Sequence, residues 1–589
     1  MSKYSKNALL LVLELWSYIG IKRKIQFYGI LILTIFTSFA EIISLGALLP
    51  FLAALTDPIG LYQKTWMRPI LNILNINSSQ EMILPLTIIF VIAAITAGIM
   101  RLIQSWANIR ASYATGADLS LNLYERTLYQ PYSLHVSRNS SSIINAVSIK
   151  TMSVVSGGIL PMITIITSVV VLLSIMTTLI IIDPNVALSV FIGFAIVYTL
   201  IISFTRNKLK INSILIANES NHLVKSLQEG LGGIRDVLID GNQEVYKNIF
   251  KRAVYPLRLA QANNLFIAQS PRFIIEAIGI TLIAIIAYLL AHESGSLLNS
   301  IPILGALAFG AQRMLPIFQL VYASFSTLLG NTASFNDVLE LLDQPMPEKE
   351  ELKGIPIVFS DKIELNNIHF SYNHDGPEIL SGIDLIIKKG SKVGIIGSTG
   401  CGKSTLLDII MSLLLPSKGK VLVDGKTIGL NNLKGWQKNI AHVPQTIFLS
   451  DSSIEENIAF GISLSNIDNK RVKWAAKQAQ IDDIIDSWPK GYKTVIGERG
   501  IRLSGGQRQR IGIARALYKS AKVIIFDEAT SALDNNTEIE IIKSIEALQK
   551  DLTIIIVAHR LTSLKNCEMI VEIEKGNIKR LGSYDKIVR

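Results

Sequence analysis

The residues best suited to chemistry form a glycine-rich stretch, Gly397-Ser-Thr-Gly-Cys-Gly-Lys-Ser404. An apolar run at 392–396 precedes it, and a helix-like run at 404–410 follows it. In this context glycines let backbone N–H groups converge on phosphate oxygens, while the helix N-terminus adds a favourable field. The pattern therefore predicts a phosphate-binding loop in which the lysine reaches the outer phosphates and the last serine ligates Mg²⁺. The predicted contacts are Gly397, Ser398, Thr399, Gly400, Cys401, Gly402, Lys403, Ser404 and Thr405.

A pair of acidic residues, Asp527 and Glu528, stands at the end of a second apolar run, residues 523–526. A carboxylate at a strand end can hold Mg²⁺ directly or through water. A carboxylate beside it can act as the general base for a water molecule that attacks a phosphate. Together with the phosphate-binding loop, the pair predicts metal-assisted hydrolysis of a nucleoside triphosphate.

The composition indicates a membrane protein with more than one domain. A chain of 589 residues is too long for one hydrophobic core. Its mean hydropathy is +0.40, and the apolar excess is concentrated before residue 330. The net charge of +11 does not require nucleic acid as a partner, because Lys and Arg accumulate on the cytoplasmic loops of membrane proteins. Cys401 and Cys567 both lie in the polar half, so a structural disulfide is not expected.

The first half contains segments long enough to cross a bilayer as helices. A hydrocarbon core of about 30 Å needs roughly 20 apolar residues in a helix. The predicted spans are residues 27–55, 82–107, 157–182, 186–204, 273–292 and 299–328. The chain is therefore predicted to contain a multi-pass α-helical membrane domain with six transmembrane helices.

Positive charges predict the orientation of these spans. Lys22, Arg23 and Lys24 precede the first span, and the loops at 108–156 and 205–271 hold many more basic residues. By the positive-inside rule both termini are cytoplasmic, which in a bacterium places the protein in the plasma membrane, the inner membrane. The two basic loops are too long for simple connections, so they are expected to be helices that continue the spans into the cytosol.

A change of composition marks the domain boundary. Residues 341–358 turn polar and contain prolines, as expected of a linker. Alternating strand-like runs and helices follow, which predicts an α/β domain at 359–589 after a transmembrane domain at 1–340.

The stretch Leu503-Ser-Gly-Gly-Gln507 lies between the phosphate-binding loop and the acidic strand end. These three motifs in this order resemble the ATP-binding cassette (ABC) family, and the membrane half resembles type IV ABC exporters. The resemblance implies that ATP and Mg²⁺ are the cofactors and that a second subunit is required, since the signature binds the γ-phosphate of ATP held by the other subunit. A homodimer is the simplest assembly, with a separate partner chain as the alternative. The implied signature contacts are Ser504, Gly505, Gly506 and Gln507.

The same resemblance implies roles for further residues. Gln445 matches the Q-loop glutamine, a sensor of the γ-phosphate and a metal contact, so that the implied metal ligands are Ser404, Gln445 and Asp527. His559 matches the switch histidine, which positions the attacking water together with Glu528 and Gln445. Tyr372 matches the aromatic residue that stacks on adenine, with an ordinary core tyrosine as the alternative. The remaining matches are the D-loop at 531–534, the X-loop at 494–500 and the coupling regions at 131–139 and 227–236, for which ordinary interhelical turns remain the alternative.

Arginines within the predicted spans are the best pointers to what is moved, because each is costly in lipid. In one interpretation Arg101, Arg272 and Arg313 bind an anionic headgroup, since guanidinium matches phosphate bidentately. In the other, Arg101 and Arg272 snorkel, Arg272 pairs with Glu276 on the same helix, and Arg313 forms an ion pair with Glu41 or Glu276. Their positions resemble those in PglK-type flippases of lipid-linked oligosaccharides. Residues 57–77 mix apolar residues with Lys64 and Arg68, which suggests an amphipathic helix on the outer membrane face. In that subfamily a helix in this loop meets the polyprenyl tail.

The function predicted from these features is ATP-driven export or flipping of an amphipathic anionic lipid, a polyprenyl-pyrophosphate-linked oligosaccharide above all. A lipid A, drug or peptide exporter of the same fold is the alternative, in which the arginines are structural. A non-transporting regulator or channel is a further alternative. Such proteins usually carry degenerate ATP sites, so Glu528 and His559 argue against it.

Overall fold

The chain divides into two units in a computed structural model. The helical unit spans Met1–Gln130 and Arg138–Pro345, and the sheet unit spans Pro131–Ser137 and Met346–Arg589. The structure describes residues 8–73, 78–182, 184–293, 297–347, 354–373, 376–528, 537–541, 543, 551–558 and 564–588.

Long helices make up the helical unit. Its helices, with the short α6 of the sheet unit numbered in place, are α1 Ala8–Tyr18, α2 Ile21–Thr56, α3 Pro58–Gln63, α4 Arg68–Ile73, α5 Ile83–Leu128, α6 Tyr132–Ser137, α7 Ser140–Asn145, α8 Thr151–Val154, α9 Leu160–Ile182, α10 Pro184–Gly232, α11 Ile234–Ile239, α12 Gln243–Gln269, α13 Pro271–Glu293, α14 Leu297–Leu329 and α15 Thr332–Leu342. Two π-helical turns, Ala146–Lys150 and Val155–Ile159, flank α8.

Two of these helices run far beyond a bilayer's thickness. Helix α5 has 46 residues and α10 has 49. At a rise of 1.5 Å per residue each is about 70 Å long, more than twice the hydrocarbon core of about 30 Å. The expectation that the spans continue as helices through the long basic loops is therefore confirmed. Helix α10 ends at Gly232, and α11 begins two residues later, within the predicted coupling region at 227–236.

The predicted spans all fall on helices of this unit. Among the described residues, three helical stretches are long and apolar enough to cross a membrane: Ile21–Thr56, Gln80–Leu128 and Ser140–Ile181. The other three predicted spans lie on α10, α13 and α14, in which many side chains are outside the described part of the chain.

The loop after the first span is not the single amphipathic helix that its composition indicated. It forms α3 and α4 with a 3₁₀ turn, Thr65–Met67, between them. Pro58 starts α3 with a preset φ, and the Asp57 side chain caps this helix by accepting a hydrogen bond from the Gly60 N–H. Leu61 and Met67 pack in a small apolar cluster with the ends of α2 and α5, so part of the apolar face is covered within the unit. Residues 74–77 lie outside the described part of the chain.

Two β-sheets form the frame of the sheet unit. The strands are β1 Lys362–Phe370, β2 Leu380–Lys388, β3 Lys392–Gly397, β4 Lys418–Val423, β5 Lys426–Thr427, β6 Ile440–Val443, β7 Val523–Asp527, β8 Thr553–Val557, β9 Met569–Glu574 and β10 Asn577–Gly582. The described helices that follow β3 are α16 Lys403–Ile410, α17 Leu433–Gln437, α18 Ile454–Ile458, α19 Asn469–Gln478, α20 Asp482–Asp486, α21 Gly505–Tyr518 and α22 Tyr584–Val588.

The larger sheet has the strand order β10-β9-β3-β8-β7-β6. Its pairs are parallel except for the antiparallel edge pair β9 and β10. Strand β8 is buried along its whole length, and β7 is buried at every position except its last. Continuous apolar runs are typical of parallel strands covered on both faces. The sequence places β3 at the centre of this sheet because its residues 393–395 are apolar or glycine and can be covered on both sides.

Two apolar clusters hold the sheet unit together. One contains Phe359 and Trp436, whose rings meet edge to face with centroids 5.7 Å apart. The Trp436 indole N–H donates to the Ile410 carbonyl at 2.8 Å, so the buried polar atom of this ring is satisfied and the end of α16 is anchored. The other cluster joins β6, β7 and β8 to α18, α19 and α21.

Candidate nucleotide site and membrane charge cluster

The sequence motifs converge at the carboxyl end of the parallel sheet. Strand β3 ends at Gly397, β7 at Asp527 and β6 at Val443, two residues before Gln445. Asp527 is paired in register with Val557, the last residue of β8. Because carboxyl ends of parallel strands meet at one edge, residues far apart in the chain share one crevice there, the usual place for ligands in open α/β sheets.

Glycine is required where the loop after β3 turns into α16. Gly402 has a φ of +106°. A Cβ there would lie 2.8 Å from Leu380 Cδ2 and 3.1 Å from the Ile379 carbonyl oxygen. Any other residue would meet both a strained backbone and a steric clash. The loop consists of Ser398, Thr399, Gly400 and the buried Cys401, and it carries the chain to the N-terminus of α16, as the spacing predicts.

Lys403 is buried at the first position of α16. Its Nζ donates to the carbonyl oxygens of Gly397 at 2.8 Å and Ser398 at 3.0 Å. The ammonium group therefore lies inside the curve of the loop, where backbone N–H groups and the α16 N-terminus also gather. Thr405, two residues later, is buried against Tyr372. This arrangement concentrates positive potential at one point, which suits a polyphosphate.

Oxygen donors for a divalent cation lie next to this point. The Ser404 side chain is hydrogen-bonded to the Asp527 carboxyl group. Burial and the neighbouring Glu528 raise the pKa of Asp527, whereas Ser404 and Lys403 oppose the shift. A hydroxyl and a carboxylate fit Mg²⁺, which binds hard oxygen ligands and is commonly held by one or two side chains together with substrate phosphates.

Glu528 occupies an unusual backbone conformation with a φ of +51°. Its N–H donates to the Val557 carbonyl at 3.0 Å, and its Oε2 accepts a hydrogen bond from Gln445 Nε2 at 2.7 Å. A left-handed non-glycine residue costs of order 1–2 kcal/mol and persists where the surroundings enforce it, often at functional sites. Gln445 and Glu528, which are 83 residues apart, are thus brought together beside the cation donors.

Asp408 is a member of this site that the sequence analysis missed. Burial within α16, followed by the charge of Asp527, raises its pKa from the usual 3.8 to about 6. The missed signal was available, since Asp408 lies four residues after Ser404 and therefore on the same face of the helix. The charge of Asp527 thus acts on Asp408, and the charge of Glu528 acts on Asp527, so negative charge gathers here and favours the binding of a cation.

Replacing Asp408 with Asn is expected to stabilise the nucleotide-free protein at pH 7.5. Because its pKa is raised in the folded protein, the ionised Asp408 carboxylate lowers the free energy of unfolding above pH 6. This destabilisation decreases as the pH falls toward 3.8, where the carboxyl group becomes protonated in both the folded and the unfolded chain. Because the group is partly exposed, the gain is about 1 kcal/mol, or about 2–4 °C in Tm. Thermal unfolding at pH 7.5 and pH 5 should show a smaller gain at pH 5. A gain that is equal at both pH values, or matched by the exposed control Asp451→Asn, would contradict the assignment.

Tyr372 lies two residues beyond β1 and is half exposed. Its ring packs edge to face on Phe370 at 5.1 Å, and its hydroxyl lies 3.3 Å from Thr405 Oγ1. The ring thus stands beside the phosphate-binding loop with part of its surface open, so it is not a core tyrosine. A half-exposed aromatic ring held in this way can stack on a base.

The signature stretch caps helix α21. The Ser504 hydroxyl accepts from the Gln507 N–H at 3.2 Å, and Gln507 Oε1 accepts from the Ser504 N–H at 2.9 Å. This reciprocal capping box fixes the first turn. Ser504 is exposed, and Gly505 and Gly506 follow it without side chains that would cover the helix N-terminus. The exposed N-terminus is therefore open to an anion from outside this chain.

Some predicted site residues lie outside the described part of the chain: His559 and the D-loop residues 531–534. The structure does describe Ala558, directly after the carboxyl end of β8. The predicted X-loop is described, and its Val495 forms an isolated bridge with Ser453.

A second group of charges lies in the helical unit. The fully buried Glu41 of α2 forms ion pairs with Arg101 of α5 and Arg313 of α14. Arg313 also donates to Ser44 Oγ at 3.1 Å. The ion pair between Arg313 and Glu41, one of the alternatives considered from the sequence, is therefore present in the structure. Arg101 pairs with the same carboxylate, which the sequence did not predict. We call these three residues the charge cluster.

Arg272 is apart from the charge cluster. It is exposed near the N-terminus of α13, and no ion pair joins it to Glu276 in the described structure. The structure therefore brings together two of the three predicted arginines and shows neither a partner nor a ligand role for the third.

Family models match both units. The model described as the ABC transporter transmembrane region matches residues 47–312, and the model described as ABC transporter matches residues 380–531. The chain belongs to the ABC transporter family. The predicted fold class, a helical membrane domain followed by an α/β cassette, is confirmed, and the chain is a multi-pass membrane protein. Its cassette uses ATP with Mg²⁺ and couples ATP hydrolysis to transport, as predicted.

Relatives of known description support an exporter. A protein described as an ATP-dependent lipid A-core flippase from Ralstonia nicotianae is 29% identical over 480 residues, which is 80% of this chain and 79% of the relative. A leukotoxin translocation ATP-binding protein, LktB, from a Pasteurella haemolytica-like species is 40% identical over 250 residues, or 42% of this chain. That match spans only 35% of the length of the leukotoxin protein.

The fold also matches a solved structure, that of a bacterial Atm1-family ABC exporter with ATP bound. The TM-score is 0.78 with 21% sequence identity, and the match covers 96% of each chain. At this identity the likeness concerns the fold, which is that of an ABC exporter.

Proposed function

We propose that this transporter flips an anionic amphipathic lipid, a polyprenyl-pyrophosphate-linked oligosaccharide, across the bacterial inner membrane as a homodimer with cytoplasmic termini. The observation that carries the proposal is the charge cluster. Two arginines share one carboxylate in the membrane-spanning region, so the cluster keeps a net positive charge. Ionisable residues within membrane-spanning segments are costly and are typical of a site that meets a charged substrate.

The chemistry that drives transport is proposed for the sheet unit. Glu528 would accept the proton of the attacking water, with Gln445 orienting this carboxylate and His559 contacting the γ-phosphate. Ser404, Asp527 and Gln445 would hold Mg²⁺, Lys403 the outer phosphates and Tyr372 the adenine. The signature N-terminus at Ser504 would close on the γ-phosphate bound by a second copy, so that ATP joins the two cassettes.

Residues 359–589 are proposed as the cassette domain, residues 341–358 as the linker and residues 1–340 as the transmembrane domain. The helices that continue the spans into the cytosol would carry the coupling regions at 131–139 and 227–236. Of these, residues 131–137 group with the sheet unit.

A lipid A-type substrate is the second candidate. It is supported by the similarity to a lipid A-core flippase over most of both chains. The same net charge of the cluster would serve this phosphorylated glycolipid, so charge alone does not separate the two candidates. The headgroup and the number of acyl chains differ between them.

Stimulation of ATP hydrolysis in liposomes is expected to separate the candidates. The purified full-length protein should respond to a polyprenyl-pyrophosphate-linked oligosaccharide several-fold more strongly than to lipid A or a cationic hydrophobic drug, because only the first combines a pyrophosphate with a single isoprenoid tail. A fluorescently labelled headgroup, quenched from one side, would measure the flipping itself. Preferential stimulation and flipping of lipid A would replace the proposed substrate, and a response to the drug alone would contradict an anionic substrate.

A further inference from the structure

The covalent connections between the two units are tied to one another. The chain passes between the units after Gln130, after Ser137 and after Pro345. The first two crossings bound residues 131–137, which hold α6 and belong to the sheet unit, and the third follows α15. On the helical side, Gln130, Arg138 and Pro345 stand at these boundaries. The residues at or next to the boundaries contact one another within the helical unit.

Arg126, in the last turn of α5, is at the centre of these contacts. Its Nη1 donates to the Leu342 carbonyl at 2.6 Å and to the Gln344 carbonyl at 2.7 Å, and its Nε donates to Asn122 Oδ1 at 2.8 Å. The last carbonyl groups of a helix have no partner within that helix. Arg126 therefore supplies a donor to the C-terminal end of α15 from a different helix, 216 residues away in the chain.

Two glutamines connect the crossings directly. Gln130 Nε2 donates to the Pro345 carbonyl at 3.1 Å. The Gln344 side-chain oxygen, in the amide orientation that satisfies both groups, accepts from Nη1 and Nη2 of Arg138, the latter at 3.0 Å. Both glutamines are buried, with 8% exposure each. Breaking either contact would leave a buried donor or acceptor unpaired, which is costly, so the contacts hold the crossings together.

Tyr18, at the end of α1, adds a further contact. Its hydroxyl donates to Asp343, the residue directly after α15. The Arg126 guanidinium lies over the Tyr18 ring, 5.6 Å from its centroid. The end of α1 is thus joined to the same group. We call Tyr18, Arg126, Gln130, Arg138 and residues 342–345 the linker clasp.

The linker clasp fixes the start of the predicted linker at 341–358 to both ends of the segment that holds α6. A polar linker without such contacts is flexible, so it could take up a movement of the sheet unit by changing its own conformation. With the contacts in place, the covalent connections leave the helical unit as one group. A displacement of the sheet unit must then act on the ends of α5 and α15 together.

We propose that the linker clasp prevents the linker from absorbing the movement of the cassette, so that nucleotide binding is transmitted to the membrane-spanning helices, and that Arg126 is the positioning residue of this clasp. Without Arg126 the cassette should still bind ATP, but the helical unit should no longer respond to it. This role is independent of which substrate is moved, because no residue of the linker clasp belongs to the charge cluster or to the nucleotide site.

Hydrogen–deuterium exchange of the full-length protein in nanodiscs tests the role of Arg126. In the wild-type protein, a non-hydrolysable ATP analogue with Mg²⁺ should slow exchange at residues 397–405 and also change exchange at 120–130 and 332–345. In Arg126→Ala the first effect should remain, and the second should shrink about threefold or more. The measured quantity is the difference made by the nucleotide, which a merely structural role of Arg126 would not remove.

The matched control is Arg23→Ala. It removes an arginine whose Nε pairs with Asp118 at 2.7 Å and so joins α2 to α5 away from every crossing. This variant should keep the wild-type response of both regions. Should Arg126→Ala fail to bind the analogue, Gln130→Ala takes its place. That variant removes the contact with Pro345 and should reduce the response of the helical unit in the same direction.

Cross-linking is expected to restore the response. In the Arg126→Ala background, Gln130→Cys and Pro345→Cys can be joined by a short reagent that bridges two thiols. The joined protein should recover the nucleotide-dependent exchange at 120–130 and 332–345. Treatment of Arg126→Ala without the new cysteines accounts for any reaction at the buried Cys401 and Cys567. An unchanged response in Arg126→Ala, an equal loss in Arg23→Ala, or a loss that cross-linking does not restore would overturn the role of the linker clasp.

Discussion

Glu528→Gln is expected to stop ATP turnover while ATP binding persists. The substitution keeps the shape of the side chain, and the amide can still pair with Gln445, but it cannot accept a proton from water. Loss of a general base costs about 10²–10⁴-fold in rate. Steady-state hydrolysis by the purified protein should therefore fall to the background, while labelled ATP remains bound with Mg²⁺ and the cassettes stay closed on it.

The matched control for this experiment is Glu540→Gln. Glu540 is exposed on the short described helical stretch 537–541. Its replacement should leave turnover unchanged. Rapid steady turnover by the Glu528 variant would show that another group takes the proton, and it would reduce Gln445 and Glu528 to a structural pair.

Lys403→Ala is expected to abolish tight ATP binding. The Lys403 ammonium group is buried within the loop and held by two carbonyl oxygens. It can turn to phosphate oxygens over a short distance, and without it the loop faces several negative charges with backbone dipoles alone. Each charge-assisted hydrogen bond contributes about 1.5–3 kcal/mol, so the loss of two or more contacts weakens the binding of ATP by roughly 10²–10⁴-fold. Filter binding of labelled ATP would measure this loss. Lys403→Arg, which keeps the charge, should lose less.

The nucleotide site was largely predictable from the sequence because its parts are local. Each motif follows an apolar strand, and the rule that parallel strands share a carboxyl edge brings Gly397, Gln445 and Asp527 together without knowledge of the strand order. The long helices were also predictable, since the basic loops between the spans are too long for simple connections. The mutual capping of Ser504 and Gln507 likewise depends on residues three apart.

Other features depend on contacts that no local pattern encodes. Glu41 meets Arg101 and Arg313 across 60 and 272 residues, and the sequence could not decide between Glu41 and Glu276 as the partner of Arg313. The raised pKa of Asp408 in α16 depends on its burial and on the charge of Asp527, which lies at the end of β7. In the loop after the first span, the apolar residues predicted one helix, but packing of Leu61 and Met67 against the ends of α2 and α5 favours two short helices.

The central claim is that two copies of this chain share each ATP molecule, with Lys403 from one copy and Ser504 from the other. The direct test is a purified mixed dimer in which one copy carries Lys403→Ala and the other carries Ser504→Ala. Such a dimer retains one site built from intact residues. It should therefore trap ATP and hydrolyse it at up to about half the wild-type rate, while each variant alone is inactive. A mixed dimer no more active than the two variants measured separately, or a monomer that hydrolyses ATP at the full rate, would contradict the account.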